Sequence, residues 1–287
     1  MRIVRVINCG VMPIKKQDKN MKTIPNISEA KELVYSTYPV FNKYSPAYAV
    51  TNEDVRKSMK YIKKSYKTAL TVAASGDHPL FCKLYGIEHV TTFDISYNAK
   101  VVMDLKTLAL QHLTLNQYYE MQNSLWHNIN VRHAAHTQDI ISKLSSEVQQ
   151  YIDGMNGYLL FDNGRFRSER YQKYALQQQE FSKLKQIVHE PFDFIWSDVK
   201  KLKLKQSYDF IHLSNICDFL PYVAIQKVLI KMLNHTNTGG SIVMLLHQKN
   251  DIYKVKDIVH DIQCDYPGTQ NKNVVVLRMH ELVKHLY

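Results

Sequence analysis

Residues 68–94 read TALTVAASGDHPLFCKLYGIEHVTTFD, and the fold follows from how this stretch divides. Ala69 to Ala73 is a short apolar run of strand length, and the small residues Ala74, Ser75 and Gly76 behind it let a ligand approach the backbone. Asp77 and Pro79 stand where a helix begins, since proline is tolerated in a first turn, so the free amides of that end point back over the turn. Gly86 closes the helix, and Val90 to Phe93 resumes as a strand. Asp94 falls at the carboxyl end of that strand, 18 residues after Gly76, close to the spacing at which an acid meets the hydroxyls of a ribose.

The full GxGxxG fingerprint is missing, which weighs against a dinucleotide with a pyrophosphate to cradle. S-adenosylmethionine (SAM) has no pyrophosphate. It needs a close turn and an acid for the ribose, and both are present. The plainer reading of the same residues is an ordinary β-α-β unit with a surface acid.

At 287 residues the chain is long enough for one enlarged domain or a domain with a helical insertion. Lysine and arginine number 37 against 26 acids, a net charge of +11 that suits an anionic partner such as nucleic acid, an acidic membrane surface or a charged small molecule; it also serves solubility alone. Cys9, Cys82, Cys217 and Cys264 are far apart with no CxxC pair, which argues against a zinc ribbon or a thioredoxin-like site and for reduced thiols. The opening MRIVRVINCGVMPIKK has Arg5 inside its apolar run and makes a poor signal peptide, and no stretch reaches the ~18 apolar residues of a membrane span. A cytoplasmic protein is expected, either free or peripheral at an anionic membrane surface.

Strand-like runs return at Phe192 to Trp196, Tyr208 to Leu213, Ser241 to Leu246 and Asn273 to Arg278, and Ile3 to Ile7 reads as an edge strand or a loose tail. Helices are expected over 28–37 with Ser28 as cap, 53–64, 99–113 and 221–233. Strand and helix in alternation predict an α/β fold, a Rossmann-like doubly wound, mostly parallel sheet. Residues 116–189 depart from the alternation, with helices expected near 117–127, 136–153 and 169–187. They read as a helical insertion over the mouth of the site, because insertions in open α/β sheets gather at the carboxyl ends of strands. The expected layout is an N-terminal helical cap over 1–67, a SAM-binding Rossmann-like domain over 68–115 and 190–287, and the insertion between its two parts.

Several stretches carry a family likeness. VAASGDH (Val72 to His78) resembles the IASAGDN-type turn of the SAM:diacylglycerol aminocarboxypropyl transferases of betaine-lipid synthesis, within the class I SAM-dependent transferases. KYSPAYAVTNEDV (Lys43 to Val55), FDISYNAKVVMDLKTLALQHL (Phe93 to Leu113), NGRFRSERYQKY (Asn163 to Tyr174) and DFIHLSNICDFLP (Asp209 to Pro221) are similar to that family's motifs in the same order. The likeness covers roughly residues 43–247. In this chain two residues split the GRF from the ERY, and Phe219 stands where the family has tryptophan. The resemblance implies a class I SAM-dependent methyltransferase-like fold and transfer of the aminocarboxypropyl arm of SAM to a lipid or small-molecule acceptor, releasing methylthioadenosine. Methyl transfer to a small molecule is the alternative, and a basic RNA-modifying enzyme is another.

On this reading Ala73, Ser75, Gly76 and Asp77 line the methionine end, Asp94 holds the ribose, and Ile95 lies on the adenine with Asp198 and Val199 beside it. Asp198 equally suits the capping of a turn. Ser214, Asn215 and Asp218 end a strand over the turn, and Asp218 or Tyr44 is the candidate base, with a helix cap and core packing as their structural alternatives. Tyr48, Arg165, Arg170 and Tyr171 are candidates for substrate contact, an arginine fork being suited to a carboxylate. His133 and His136 have helical spacing but no third ligand, so no metal is expected.

Overall fold

The computed structural model describes residues 25–35, 42–44, 48–51, 53–127, 130–159 and 175–246, and the backbone of strands 263–265 and 273–278. Seven strands form one sheet in the order β3-β2-β1-β4-β5-β7-β6. These are β1 (Thr68–Val72), β2 (His89–Asp94), β3 (Asp193–Trp196), β4 (Tyr208–His212), β5 (Thr236–Leu246), β6 (Gln263–Asp265) and β7 (Asn273–Arg278). The first five run parallel. β7 runs antiparallel between β5 and β6. The chain winds outward from β1 through β2 to β3, then returns to lay β4 on the other side of β1. The strand order therefore reverses between β1 and β4, the place in an open α/β sheet where a crevice forms at the carboxyl ends.

Alternation along β1 sets the two layers. Ala69 and Ala73 join the core on one face, and Leu70 and Val72 the core on the other. On the first face lie α3 (Asp77–Leu84) and α4 (Tyr97–His112). On the second lies α9 (Tyr222–Asn234), which buries Ile225, Val228, Leu229 and Met232. The i, i+3, i+4, i+7 spacing of those four residues is that of a helix with one apolar stripe.

α1 (Ile27–Tyr35) is capped two residues before the expected position: the Asn26 side chain, and not Ser28, accepts from the Glu29 amide. α2 (Val55–Met59) is shorter than expected, and its Arg56 is not part of a solvated face. That guanidinium forms a two-pronged pair with Glu180 and lies 5.0 Å over the ring of Phe81.

Between α4 and β3 the described chain forms α5 (Leu115–His127), α6 (Gln138–Ile141), α7 (Ser146–Gly154) and α8 (Gln178–Ile187). The helix expected over 136–153 is two helices, because the Ser145 side chain caps a new start by accepting from the Val148 amide. α5, α6 and α8 pack on α4, and α8 also reaches α3. α7 is held at the start of α4, with the Tyr97 hydroxyl donating to Glu147 at 2.6 Å and the Tyr151 hydroxyl to Asn98 at 2.7 Å. Among the described residues no helix is long and apolar enough to cross a membrane. Residues 3–7, Arg165, Arg170, Tyr171 and the side chain of Asp218 lie outside the described residues.

Candidate functional site

A cavity of about 230 Å³ opens at the carboxyl ends of β1 to β4, where the strand order reverses. β1 brings Val72 and Ala74, β2 brings Phe93, Asp94 and Ile95, and β3 brings Ser197, Asp198 and Val199. From the end of β4 come Leu213, Ser214 and Asn215, and Tyr48 arrives from the segment before α2. Apolar side chains therefore line the cavity together with six oxygen-bearing ones, those of Tyr48, Asp94, Ser197, Asp198, Ser214 and Asn215.

Asp94 is fixed by its neighbours. Its carboxylate accepts from the Ala74 amide at 2.9 Å and the Ser96 amide at 2.9 Å, so the turn after β1 is tied to the end of β2. Burial nonetheless dominates and pushes its carboxyl up to about 6, with the backbone amides of Ser96, Ala74 and Ile95 pulling the other way. Three backbone donors leave the carboxylate with acceptor capacity for a donor in the cavity.

Two residues at the cavity have left-handed backbone without being glycine: Ala74 at φ 45° and Ser214 at φ 52°. Such a conformation costs on the order of 1 kcal/mol each and persists where the surroundings enforce it. Ser214 is enforced from both sides. Its carbonyl accepts from the Leu245 amide, and its hydroxyl donates to Glu53 at 2.6 Å.

Asp94, Ile95, Asp198, Val199, Ser214, Asn215 and Tyr48 are brought together as expected. Asp198 also has the turn role: it accepts from the Lys200 amide at 2.8 Å and pairs with its ammonium at 3.1 Å. Ala73, Ser75, Gly76 and Asp77 do not line the cavity; they are buried behind it. Asp77 accepts from the Thr51 amide (2.8 Å), from the Ser75 hydroxyl (2.7 Å) and from the fully buried Lys106 ammonium (2.8 Å). Gly76 is glycine for packing: its φ is 79°, and a Cβ there would stand 2.9 Å from the Met103 Cα of α4. The turn residue that does face the cavity is Ala74, which the motif reading passed over.

Tyr44 is not placed to act as a base. Its ring is buried against Tyr151 and Trp196, its hydroxyl accepts from the Asn26 amide and donates to Glu29, and burial raises its pKa, the wrong direction for proton abstraction. Trp196 itself donates from its indole nitrogen to the Ile95 carbonyl at 2.9 Å, directly behind the cavity wall.

Beneath the cavity floor lies a second polar group, unforeseen from spacing. Glu53, His78 and His212 are buried together, and one ligand atom from each, a carboxylate oxygen and two ring nitrogens, lies within 4.8 Å of the other two. His78 Nε2 is 3.1 Å from Glu53 Oε2, and the two imidazole ring centroids lie 4.9 Å apart with the planes tilted by 32°. Burial, with His78 beside it, lowers the His212 pKa to about 3 and keeps it neutral. His136, one of the pair considered from sequence, instead bonds Glu120 at 2.7 Å.

A doubly wound sheet of this order, with one antiparallel strand inserted beside its last parallel one and a cleft at the reversal point, has the Rossmann-like class I SAM-dependent methyltransferase-like fold. No protein-family model matches the chain, and no curated protein matches it. Among solved structures, the chain is similar to the N-methyltransferase NodS from Bradyrhizobium japonicum in complex with S-adenosyl-L-homocysteine, at 8% identity over 78% of this chain and 82% of that one, TM-score 0.38. An rRNA methylase from Streptococcus thermophilus aligns at 7% identity over 80% and 98%, TM-score 0.41. A putative methyltransferase from Streptococcus mutans, also in complex with S-adenosyl-L-homocysteine, aligns at 7% identity over 80% and 99%, TM-score 0.40.

Proposed function

We propose that this protein is a SAM-dependent transferase that holds SAM in the cleft at the ends of β1 to β4. The observation that carries the reading is Asp94, a carboxylate at the end of β2 tied to the β1 turn and facing the cavity, where ribose hydroxyls can donate to it. In this reading Ile95, Val199 and Asp198 hold the adenine, and Ala74, Ser214 and Asn215 meet the methionine end. Tyr48 stands at the acceptor side. Helices α5 to α8 serve as an insertion that braces the α3–α4 face.

We favour methyl transfer to a small molecule, the strand order being that of the class I methyltransferase-like fold. The aminocarboxypropyl reading rests on the motif likeness over 43–247, with Val72–His78 as its strongest part. The two reactions differ in which carbon on the sulfonium faces the nucleophile, and so in the product. Attack at the methyl leaves S-adenosylhomocysteine, whereas attack at the amino-acid Cγ leaves methylthioadenosine. Deprotonation of the acceptor would fall to Asp218, near the same strand end.

Isothermal titration with SAM, followed by chromatography of turnover mixtures with amine, hydroxyl, lipid and RNA acceptors, tests the proposal. Binding with S-adenosylhomocysteine as product is expected. Methylthioadenosine would move the reaction to the aminocarboxypropyl arm, and absence of SAM binding would overturn the site.

A further inference from the structure

The buried cluster under the cleft has a feature that hydrogen bonding inside the protein does not explain. A neutral imidazole offers one donor and one acceptor, and buried groups of this kind are nearly always satisfied. Here both ring nitrogens of His212 and Nδ1 of His78 have no hydrogen-bond partner, although both side chains are buried. One nitrogen from each of these two rings and a carboxylate oxygen of the buried Glu53 all lie within 4.8 Å of one another. Buried imidazole nitrogens without partners, converging with a carboxylate oxygen, are what a metal ion satisfies.

We propose that Glu53, His78 and His212 form a binding site for a divalent transition ion of the zinc class, with one carboxylate oxygen and two imidazole nitrogens as ligands. The donor set selects the ion: two nitrogens and one oxygen suit zinc and its borderline neighbours, whereas magnesium and calcium take oxygen almost exclusively. The geometry is compatible. Bonds of about 2.0–2.2 Å separate adjacent ligand atoms by about 3–3.5 Å, and His78 Nε2 already lies 3.1 Å from Glu53 Oε2. An outer ligand that orients the carboxylate is also in place, because the Ser214 hydroxyl donates to Glu53 Oε1 at 2.6 Å.

The three ligands come from the segment before α2, from the first turn of α3 and from the end of β4. An ion would pin these pieces together directly below the cleft. Its role is fastening the Tyr48–Glu53 segment to the sheet, with Ser214 as the link to the cavity. The site stands whether or not the cleft binds SAM.

The test uses the full chain, purified without chelator and assayed by elemental mass spectrometry. About one equivalent of a transition metal is expected, and stripping it should lower the melting temperature, which zinc then restores. Cobalt(II) put back in its place should give ligand-field bands without thiolate charge-transfer bands. His212→Ala and Glu53→Gln should each weaken zinc binding at least tenfold. Where a variant fails to fold by circular dichroism, the cobalt spectrum of the unaltered chain decides. Metal-free, folded protein whose melting temperature ignores both ions would overturn the proposal. So would full metal retention in folded His212→Ala, or thiolate bands placing the ion on a cysteine.

Discussion

Two rows of polar side chains sit at the strand ends, and they do opposite things. The cavity row (Asp94, Asp198, Ser214, Asn215) is open to a ligand and bears the strain of two left-handed residues. The row behind it, Asp77 with Lys106 and Glu53 with the two histidines, is sealed from solvent. Neighbours in sequence fall in different rows: Ala74 faces the cavity and Ser75 the interior, Ser214 the cavity and His212 the interior. The small polar turn that looks like a ligand cradle is therefore mostly a buried support. Substitutions in the rear row should cost stability, and those in the front row should cost binding.

The largest effect is expected at Lys106. Replacing it by methionine leaves Asp77 charged and buried without its cation, a loss of about 3–5 kcal/mol in denaturant unfolding. Adding Asp77→Asn to Lys106→Met should recover part of that loss. A cost below about 1 kcal/mol for the single variant would mean that the pair is not sealed and the two rows do not differ.

Asp94 tests the front row. In the proposed binding mode ribose hydroxyls donate to the ionised carboxylate, whose pKa burial raises to about 6. A proton therefore competes with the ligand as pH falls: SAM affinity should be level above about pH 7 and drop about tenfold per unit below 6. Asp94→Asn should lower affinity at pH 7.5 at least tenfold and abolish that slope in titrations across pH 5–8. A wild-type profile that stays flat would take Asp94 out of the binding row.

The smallest effect sharpens the contrast from the strained side. Ala74→Gly relieves the φ of 45° and should stabilise the fold by up to about 1 kcal/mol in chemical denaturation, reduced by the added freedom of the unfolded chain. Destabilisation would mean that the alanine methyl packs on something worth more than the strain.

The parallel strands were legible because a buried strand is a compact apolar run, and the runs at 69–73, 90–93, 192–196, 208–213 and 241–246 all became strands. β6 was not: three residues, Gln-Cys-Asp, carry no period. The short end of α2 and the break at Ser145 were missed because helical spacing continues across both; at Ser145 a single side-chain cap decides the break, and α2 closes at Lys60 through backbone bonds alone. In the site, Asp94, Asp198, Val199, Ser214 and Asn215 could be read because strand ends point to one crevice. The Glu53–His78–His212 group could not. Its members are separated by 25 and 134 residues, so only the winding of the chain brings them together.

Trp196 carries a practical consequence. It is one of two tryptophans in the chain, and its indole N–H is anchored to the carbonyl of Ile95, whose side chain forms part of the cavity wall. A fluorophore thus stands one peptide group away from the proposed adenine contact, so filling the cleft will alter the field and the solvent around its ring. The protein brings its own optical gauge of occupancy, and dissociation constants can be read from its emission without a label.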